Sequence, residues 1–548
     1  MKRVLSMLLL WFLACKPFPP SHSPMPRLEE IDGVTRLLVS GQPFIMLAGE
    51  LHNSSSSCLD YLEPIWQKLA DMNLNTVIAP VSWEQFEPEE GKFDYSIVDG
   101  LIRNAHAHDL KLVLLWFGSW KNTESSYVPP WVKQDARRFF RAQTQDGRTL
   151  EIVSALCRES LQADAHAFAQ LMRRIRQIDQ HRSTVLMVQI ENETGLLGDA
   201  RDYCPAAQQA FAAEVPAELT AALESNRQSL HPELKAAWER QGLKSGGSWE
   251  EIFGEDAAEF FMAWHIARYV NAVAEAGKSE YPLPMFANAW LRAGGQRAGQ
   301  YPSGGPIDKV HDIWRAAAPA IDLFAPDIYL SNFKEICADY TRNGNPLMIP
   351  EAHRNAGAVG QAMYALAQHN ALGFAPFGID NVLDPRHIRT GYGFLKNLLP
   401  LFAQHRGGED MIGLLQENEQ EERFELGGCR LLVKYLGNAE RGQSCGFVIH
   451  SAPDEFLIGG SNLEVRFHDD QGIIRILQVD ELVHDGDSLR PRRRLNGDET
   501  SAHQRIFLPE VVLPEHEQRL TESSTHPPLP KPPQNYSLQR VKVYRLAP

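Results

Sequence analysis

The sequence contains no Cys-x-x-Cys pair and no His-x-x-x-His spacing, so the common frameworks for bound zinc are missing. It has no Gly-x-Ser-x-Gly, which removes the strand–turn–helix elbow of a serine esterase. Gly304-Gly305 lacks the strand and helix that a phosphate loop needs. No stretch beyond the N-terminus is apolar enough to cross a membrane. Positive charge is in deficit: 54 Lys and Arg face 69 Asp and Glu, a formal net charge of −15, which argues against nucleic acid as the main partner. Neither a metal nor a cofactor is called for.

What is present is ordinary in bulk and specific in pattern. The chain has 548 residues, 43% hydrophobic and 22% charged, enough for several domains and a large core. Lys2 and Arg3 precede an apolar run, Val4 to Ala14, broken only by Ser6; this suits an export signal over residues 1–15. Phe12-Leu13-Ala14-Cys15 resembles a bacterial lipobox, so the expectation is export to the periplasm or outer membrane, either with a lipid anchor at Cys15 or by simple secretion. Residues 16–34 carry the Pro and Ser of a tether. The other cysteines read as buried thiols, with Cys429 and Cys445, on neighbouring strand-like segments, able to pair.

From about residue 35, short apolar runs alternate with amphipathic segments. Eight runs are countable: Phe44–Glu50, Thr76–Val81, Leu110–Phe117, Thr184–Ile190, Pro284–Ala289, Leu323–Tyr329, Leu347–Pro350 and Gly373–Gly378. Helices are expected at about Leu59 to Met72 and over Leu161–Gln180. Eight βα units predict an α/β fold, a closed (β/α)8 barrel over residues 35–405. Residues 118–160 and 194–255 are long excursions after strands three and four, where loops shape the catalytic face. From about residue 410 short strands such as Arg430–Tyr435 and Cys445–His450 predict a smaller β-sandwich-like domain over 410–548, interrupted by a Pro-rich stretch at 522–534.

After two of the barrel runs a Glu directly follows the last apolar residue or its proline. Strand four ends Gln189-Ile190-Glu191-Asn192-Glu193, and strand seven ends Ile349-Pro350-Glu351. Paired carboxyl groups at the C-terminal ends of two barrel strands are what retaining glycoside hydrolysis needs, at a separation of about 5–5.5 Å. One donates and later abstracts a proton; the other attacks the sugar.

Gln189-Ile190-Glu191-Asn192-Glu193 resembles the Q-I-E-N-E motif of glycoside hydrolase family 35, the β-galactosidases. Trp83-Glu84-Gln85-Phe86-Glu87-Pro88 and Gly91-Lys92-Phe93-Asp94-Tyr95 are similar to that family's second βα unit. The resemblance implies Glu193 as acid/base, Glu351 as nucleophile, Asn192 on the sugar 2-hydroxyl and Tyr329 on the nucleophile. It implies a retaining exo-glycosidase releasing terminal non-reducing β-D-galactose from an oligosaccharide or polysaccharide-derived substrate. The family's Ala-Glu-Trp after strand three is replaced here by Trp116-Phe117-Gly118-Ser119-Trp120-Lys121-Asn122, which leaves the sugar open. Trp120 and Trp290 are candidate sugar platforms, and Lys121, Asn122 and Asn288 candidate hydroxyl ligands. His52 and His353 are candidates at the mouth. Glu191, two residues from Glu193 on an extended strand, is expected on the same side. Two alternatives stand beside galactose: the same machinery on an arabinoside, glucoside or xyloglucan side chain, and a non-catalytic carbohydrate-binding surface lipoprotein. The oligomeric state is left open.

Overall fold

A computed structural model describes residues 25–438, 443–468, 474–484, 488–495, 497, 500, 502, 504–511 and 535–546. The export segment, Cys15 and the Pro-rich stretch 522–534 lie outside the described residues.

Eight parallel strands form the barrel: Met46–Glu50, Thr76–Ser82, Lys111–Lys121, Val185–Asn192, Met285–Trp290, Leu323–Ile328, a seventh in two pieces, and Gly373–Phe374. The seventh is Met348–Ile349 and Glu351–Ala352, interrupted at Pro350, which has no N–H to give a ladder. Its two halves face opposite neighbours. Met348–Ile349 pairs with strand eight and Glu351–Ala352 with strand six, which closes the ring. All eight predicted runs are strands here. The predicted helix at 59–72 is two helices, Leu59–Leu62 and Ile65–Asp71, because Pro64 interrupts the first.

Strand alternation sorts the side chains. Leu47, Val77, Leu112, Leu114, Val188 and Ala287 pack outward against the helices. Met46, Ala48, Ile78, Val113, Leu115, Phe286, Leu323 and Ala325 form a separate cluster inside the barrel. Leu37 and Val39 join that inner cluster from an N-terminal three-stranded sheet, Arg27–Ile31, Val34–Val39 and Gln42–Pro43. Part of the stretch assigned to a tether is therefore a hairpin seated against the barrel interior.

The excursion after strand four is helical (Pro205–Ala212, Ala217–Ser225, Pro232–Arg240 and Trp249–Phe253) and leads into the long helix Ala257–Glu280. That helix crosses Arg158–Asp179 at Gly277, where a Cβ would collide with the Phe168 ring. The C-terminal domain is two facing antiparallel sheets. Six strands take the order Met411–Leu415, Cys445–Ala452, Glu455–Ser461, Ser537–Arg545, Ile474–His484, Leu489–Arg494, and four take the order Glu421–Leu426, Cys429–Tyr435, Leu463–His468, Ile506–Leu508. Leu431, Val433, Val448, Phe456, Ile458 and Val541 fill the space between them. Phe447 anchors this domain on the barrel's Phe402, ring centroids 5.0 Å apart. Cys429 and Cys445 sit on different sheets and are not joined by a disulfide, so the pairing that the sequence allowed is not made.

Leu37 is fully buried beneath the barrel interior. Leu37→Ala should lower unfolding free energy by about 2–5 kcal/mol, read as a shifted urea midpoint with an unchanged slope. A loss under about 1 kcal/mol would mean that the hairpin does not close the barrel's lower end.

Candidate active site

The inner rows of the barrel change character at one end. Two residues beyond Ala48, Phe286 and Ala325, the same inward side of three strands carries Glu50, Asn288 and Asp327, all buried. Apolar layers thus end in a polar one at the C-terminal face. Glu193 and Glu351 join that layer from strands four and seven.

Strand four does not end regularly. Glu191 has φ +61° and Glu193 φ +46°, left-handed conformations that side-chain-bearing residues seldom adopt. The break in alternation separates the two glutamates. Glu191 turns to the helix side, where its Oε2 accepts the Trp120 N–H at 2.8 Å. There it meets Asp164 of the helix Arg158–Asp179, which also accepts Trp116 Nε1 at 2.8 Å, the Ser119 N–H at 3.1 Å and the Tyr269 hydroxyl at 3.2 Å. Burial, then the Asp164 charge, holds the Glu191 carboxyl well above the usual carboxylate range. A Cβ on Gly118 would lie 2.7 Å from an oxygen of each, so the position accepts only glycine. Trp120 is buried in the same layer, edge-on to Tyr269 with centroids 4.6 Å apart. The expectations that Glu191 shares the mouth with Glu193, and that Trp120 is a sugar platform, are therefore overturned.

The mouth itself is lined by two hydrogen-bonded chains of side chains. Asn122 Nδ2 donates to Glu193 Oε2. Lys121 Nζ donates to Asn192 Oδ1 at 2.9 Å, and Asn192 Nδ2 reaches Glu351 Oε1 at 3.5 Å. The Tyr329 hydroxyl donates to Glu351 Oε2 at 3.0 Å. The strained Glu193 N–H is held by Asn288 Oδ1 at 2.9 Å, and Asn288 Nδ2 donates to Asp327 Oδ2 at 2.6 Å. Glu193, Asp327 and Glu351 each bring a carboxyl oxygen within 4.8 Å of the others. Such a set could also converge on a cation, although Asn288 and Tyr329 already bond one oxygen of Asp327 and of Glu351.

The environments of these acids differ. Burial, reinforced by the Glu351 charge and opposed by Lys121, pushes Glu193 up to about 7. Burial, then Glu351 and Glu193, holds Asp327 well above the carboxylate range. Burial, then Glu351, does the same to Glu50, with Lys121 opposing.

The remaining candidates lie at the rim. Trp290 ends strand five beside Asp327 and is 40% exposed, an aromatic face open to solvent. His353 stands edge-on to Tyr329 at 5.0 Å. His52 Nδ1 pairs with the buried Asp380 at 3.1 Å, and its Nε2 lies 3.4 Å from Arg354 Nη1. Glu50, Asp327 and Asp164 were missed by sequence reasoning. The first two carried a signal: each continues the inward alternation of its strand. Asp164, mid-helix, carried none. A cavity of about 990 Å³ lies at the boundary of the two domains, lined by Phe394, Glu481, Arg493, Phe507 and Tyr536 and by none of these carboxyl groups. Volume does not mark the site; converging acids do.

Fold and site together define a class, a (β/α)8 barrel with paired glutamates ending strands four and seven. Residues 60–253 match the glycoside hydrolase family 42 model, described as "Beta-galactosidase". Residues 388–507 match a domain of unknown function, DUF5597. The model that matches is that of family 42, and the family 35 expectation is not supported. A β-galactosidase of Xanthomonas manihotis is 26% identical over 176 residues, 31% of this chain and 27% of that protein. Among solved structures, the β-galactosidase of Rahnella sp. R3 is 16% identical with a TM-score of 0.45, covering 66% of this chain and 57% of its own. The catalytic domain of a Paenibacillus polymyxa β-amylase is 12% identical with a TM-score of 0.44, covering 66% of this chain and 97% of its own. The chain thus spans about a quarter of the curated relative it matches.

The raised Glu193 carboxyl makes stability depend on pH. Its proton is bound more tightly folded than unfolded, so its contribution is complete below about 4.5 and is lost as pH rises through about 7. Glu193→Gln carries no such charge. Its stability relative to the native protein should rise by about 3 kcal/mol between pH 4 and 8 in urea unfolding, then level off. A flat difference across that range would mean Glu193 ionises normally.

Proposed function

We propose that this protein is a retaining exo-glycosidase that releases terminal non-reducing β-D-galactose by double displacement. The observation that carries the reading is the approach of the Glu193 and Glu351 carboxyl oxygens within 4.8 Å at the ends of strands four and seven, in unequal surroundings. Glu351 attacks the anomeric carbon while Glu193 gives its proton to the departing oxygen. Glu193 then takes a proton from water, whose oxygen displaces Glu351 from the same carbon. Tyr329 and Asn192 hold the attacking carboxylate in place. Burial keeps Glu193 protonated close to neutrality, as an acid must be. Support for galactose comes from the description of the matching family model and from the Xanthomonas manihotis relative. The N-terminal pattern of Lys2 to Ala14 supports export from the cytoplasm, either with a lipid anchor at Cys15 or by simple secretion.

A second reading keeps the machinery and changes the sugar to an arabinoside, glucoside or xyloglucan side chain. It is favoured by the turning of Trp120 and Glu191 to the helix side, which removes two expected sugar contacts. A panel of nitrophenyl glycosides separates the two; clear preference for a non-galactoside selects the second.

Glu193→Ala and Glu351→Ala should each lower kcat/KM on the preferred nitrophenyl glycoside, by about 10²–10⁴-fold for the acid and more for the nucleophile. Azide should restore turnover, giving the β-glycosyl azide from Glu193→Ala and the α-azide from Glu351→Ala. The native kcat should fall as pH rises past about 7, where Glu193 loses its proton. Full activity in either variant removes the assignment.

A further inference from the structure

Glu50 ends the first barrel strand. It continues the inward row of Met46 and Ala48, so its side chain enters the barrel at the catalytic end. The strand is fixed there on both sides: the Glu50 N–H bonds the Pro376 carbonyl at 2.9 Å, and Glu50 registers with Ile78 of strand two. Glu50 is 1% exposed, and neither carboxyl oxygen has a hydrogen-bond partner. The charges that act on it are Glu351, Lys121 and Glu193, so it stands among the reacting groups. Each neighbouring acid has at least one partner, although Asp327 Oδ1 has none. Glu193 has Asn122, Asp327 has Asn288, and Glu351 has Tyr329 and Asn192.

A buried carboxyl with two empty oxygens is costly unless something else completes it. The partner must be polar and small, and must satisfy the group whether it holds a proton or not. A sugar hydroxyl donates and accepts, and meets that requirement; an apolar aglycone does not. The layer of Trp120 and Glu191 behind strand four offers the mouth no such contact. We propose that Glu50 is a substrate-binding residue that grips one hydroxyl of the sugar held between Glu193 and Glu351, and so helps decide which sugar is accepted. This rests on the glycosidase reading above. Glu50 takes part in no bond-making step; it positions the ring and rejects sugars that lack the hydroxyl.

The test is a double-mutant cycle between protein and sugar. The native protein, Glu50→Gln and Glu50→Ala are assayed with the preferred nitrophenyl glycoside and its monodeoxy analogues, and the corresponding isopropyl thioglycoside series is titrated by calorimetry. In the native protein, removing one particular hydroxyl should lower kcat/KM by at least about tenfold more than removing the others. In Glu50→Ala that difference should vanish while discrimination at the other hydroxyls stays. Equal losses on the parent and every deoxy analogue, with no coupling to any hydroxyl, would overturn the proposal and make Glu50 a structural acid. If Glu50→Ala does not fold, the near-isosteric Glu50→Gln carries the same comparison. If the native protein cleaves no glycoside, the glycosidase reading falls, and the thioglycoside cycle still decides whether Glu50 binds a hydroxyl.

Discussion

Four carboxyl groups, Glu50, Glu193, Asp327 and Glu351, are buried together at one mouth of the barrel, and the buried ammonium that faces them is Lys121. Like charges in a poorly solvated site cannot all ionise. Burial and mutual repulsion therefore raise Glu50, Glu193 and Asp327 above the usual carboxylate range. Tyr329 and Asn192 converge on Glu351, whereas burial and the Glu351 charge raise Glu193 and Asp327. Carboxyl groups of one residue type are thus set apart by their surroundings alone, as the double displacement proposed above requires.

That arrangement depends on irregular backbone. Strand three slips register against strand four between Trp116 and Lys121, which brings Lys121 opposite Asn192. Its ammonium stands 5.2 Å over the Phe117 ring, and Asn122, just beyond, is left-handed at φ +50°. On strand four, Glu191 and Glu193 are left-handed too. Conformations of this kind cost about 1–3 kcal/mol each and persist only where neighbours over-determine them. Here the neighbours are Asn288 on the Glu193 N–H and, behind the strand, the buried pair Glu191 and Asp164 with its collar of donors. Gly118 leaves room for that pair, so the loop that departs from Ala-Glu-Trp has a packing reason for doing so.

The eight strands were legible because each is an apolar run of the right length between amphipathic segments. Glu351 was legible because it directly follows such a run; Glu193 lies three residues past its run, and the resemblance of Gln189-Ile190-Glu191-Asn192-Glu193 singled it out. Glu50 and Asp327 were equally accessible by counting inward positions, but a single acid inside an apolar strand draws no notice until its strand's facing is known. Glu191 and Trp120 were misplaced for one reason: period two holds only while the backbone stays extended, and nothing in Glu191-Asn192-Glu193 announces two left-handed residues. Cys429 and Cys445 looked adjacent because their strands are close along the chain, yet the chain changes sheets between them.

Local periodicity, and where it stops, already specifies the barrel, its two long excursions and the β-rich C-terminal domain, and the strand-end motifs add the pair of glutamates. Folding settles which acids share the mouth and which one lies behind it. It also decides that Lys121 faces them, that Asp164 is the partner of Glu191, and that Glu50 is left with empty oxygens. These are relations between residues far apart in the chain, set by register, strand facing and burial, and local pattern carries no information about them.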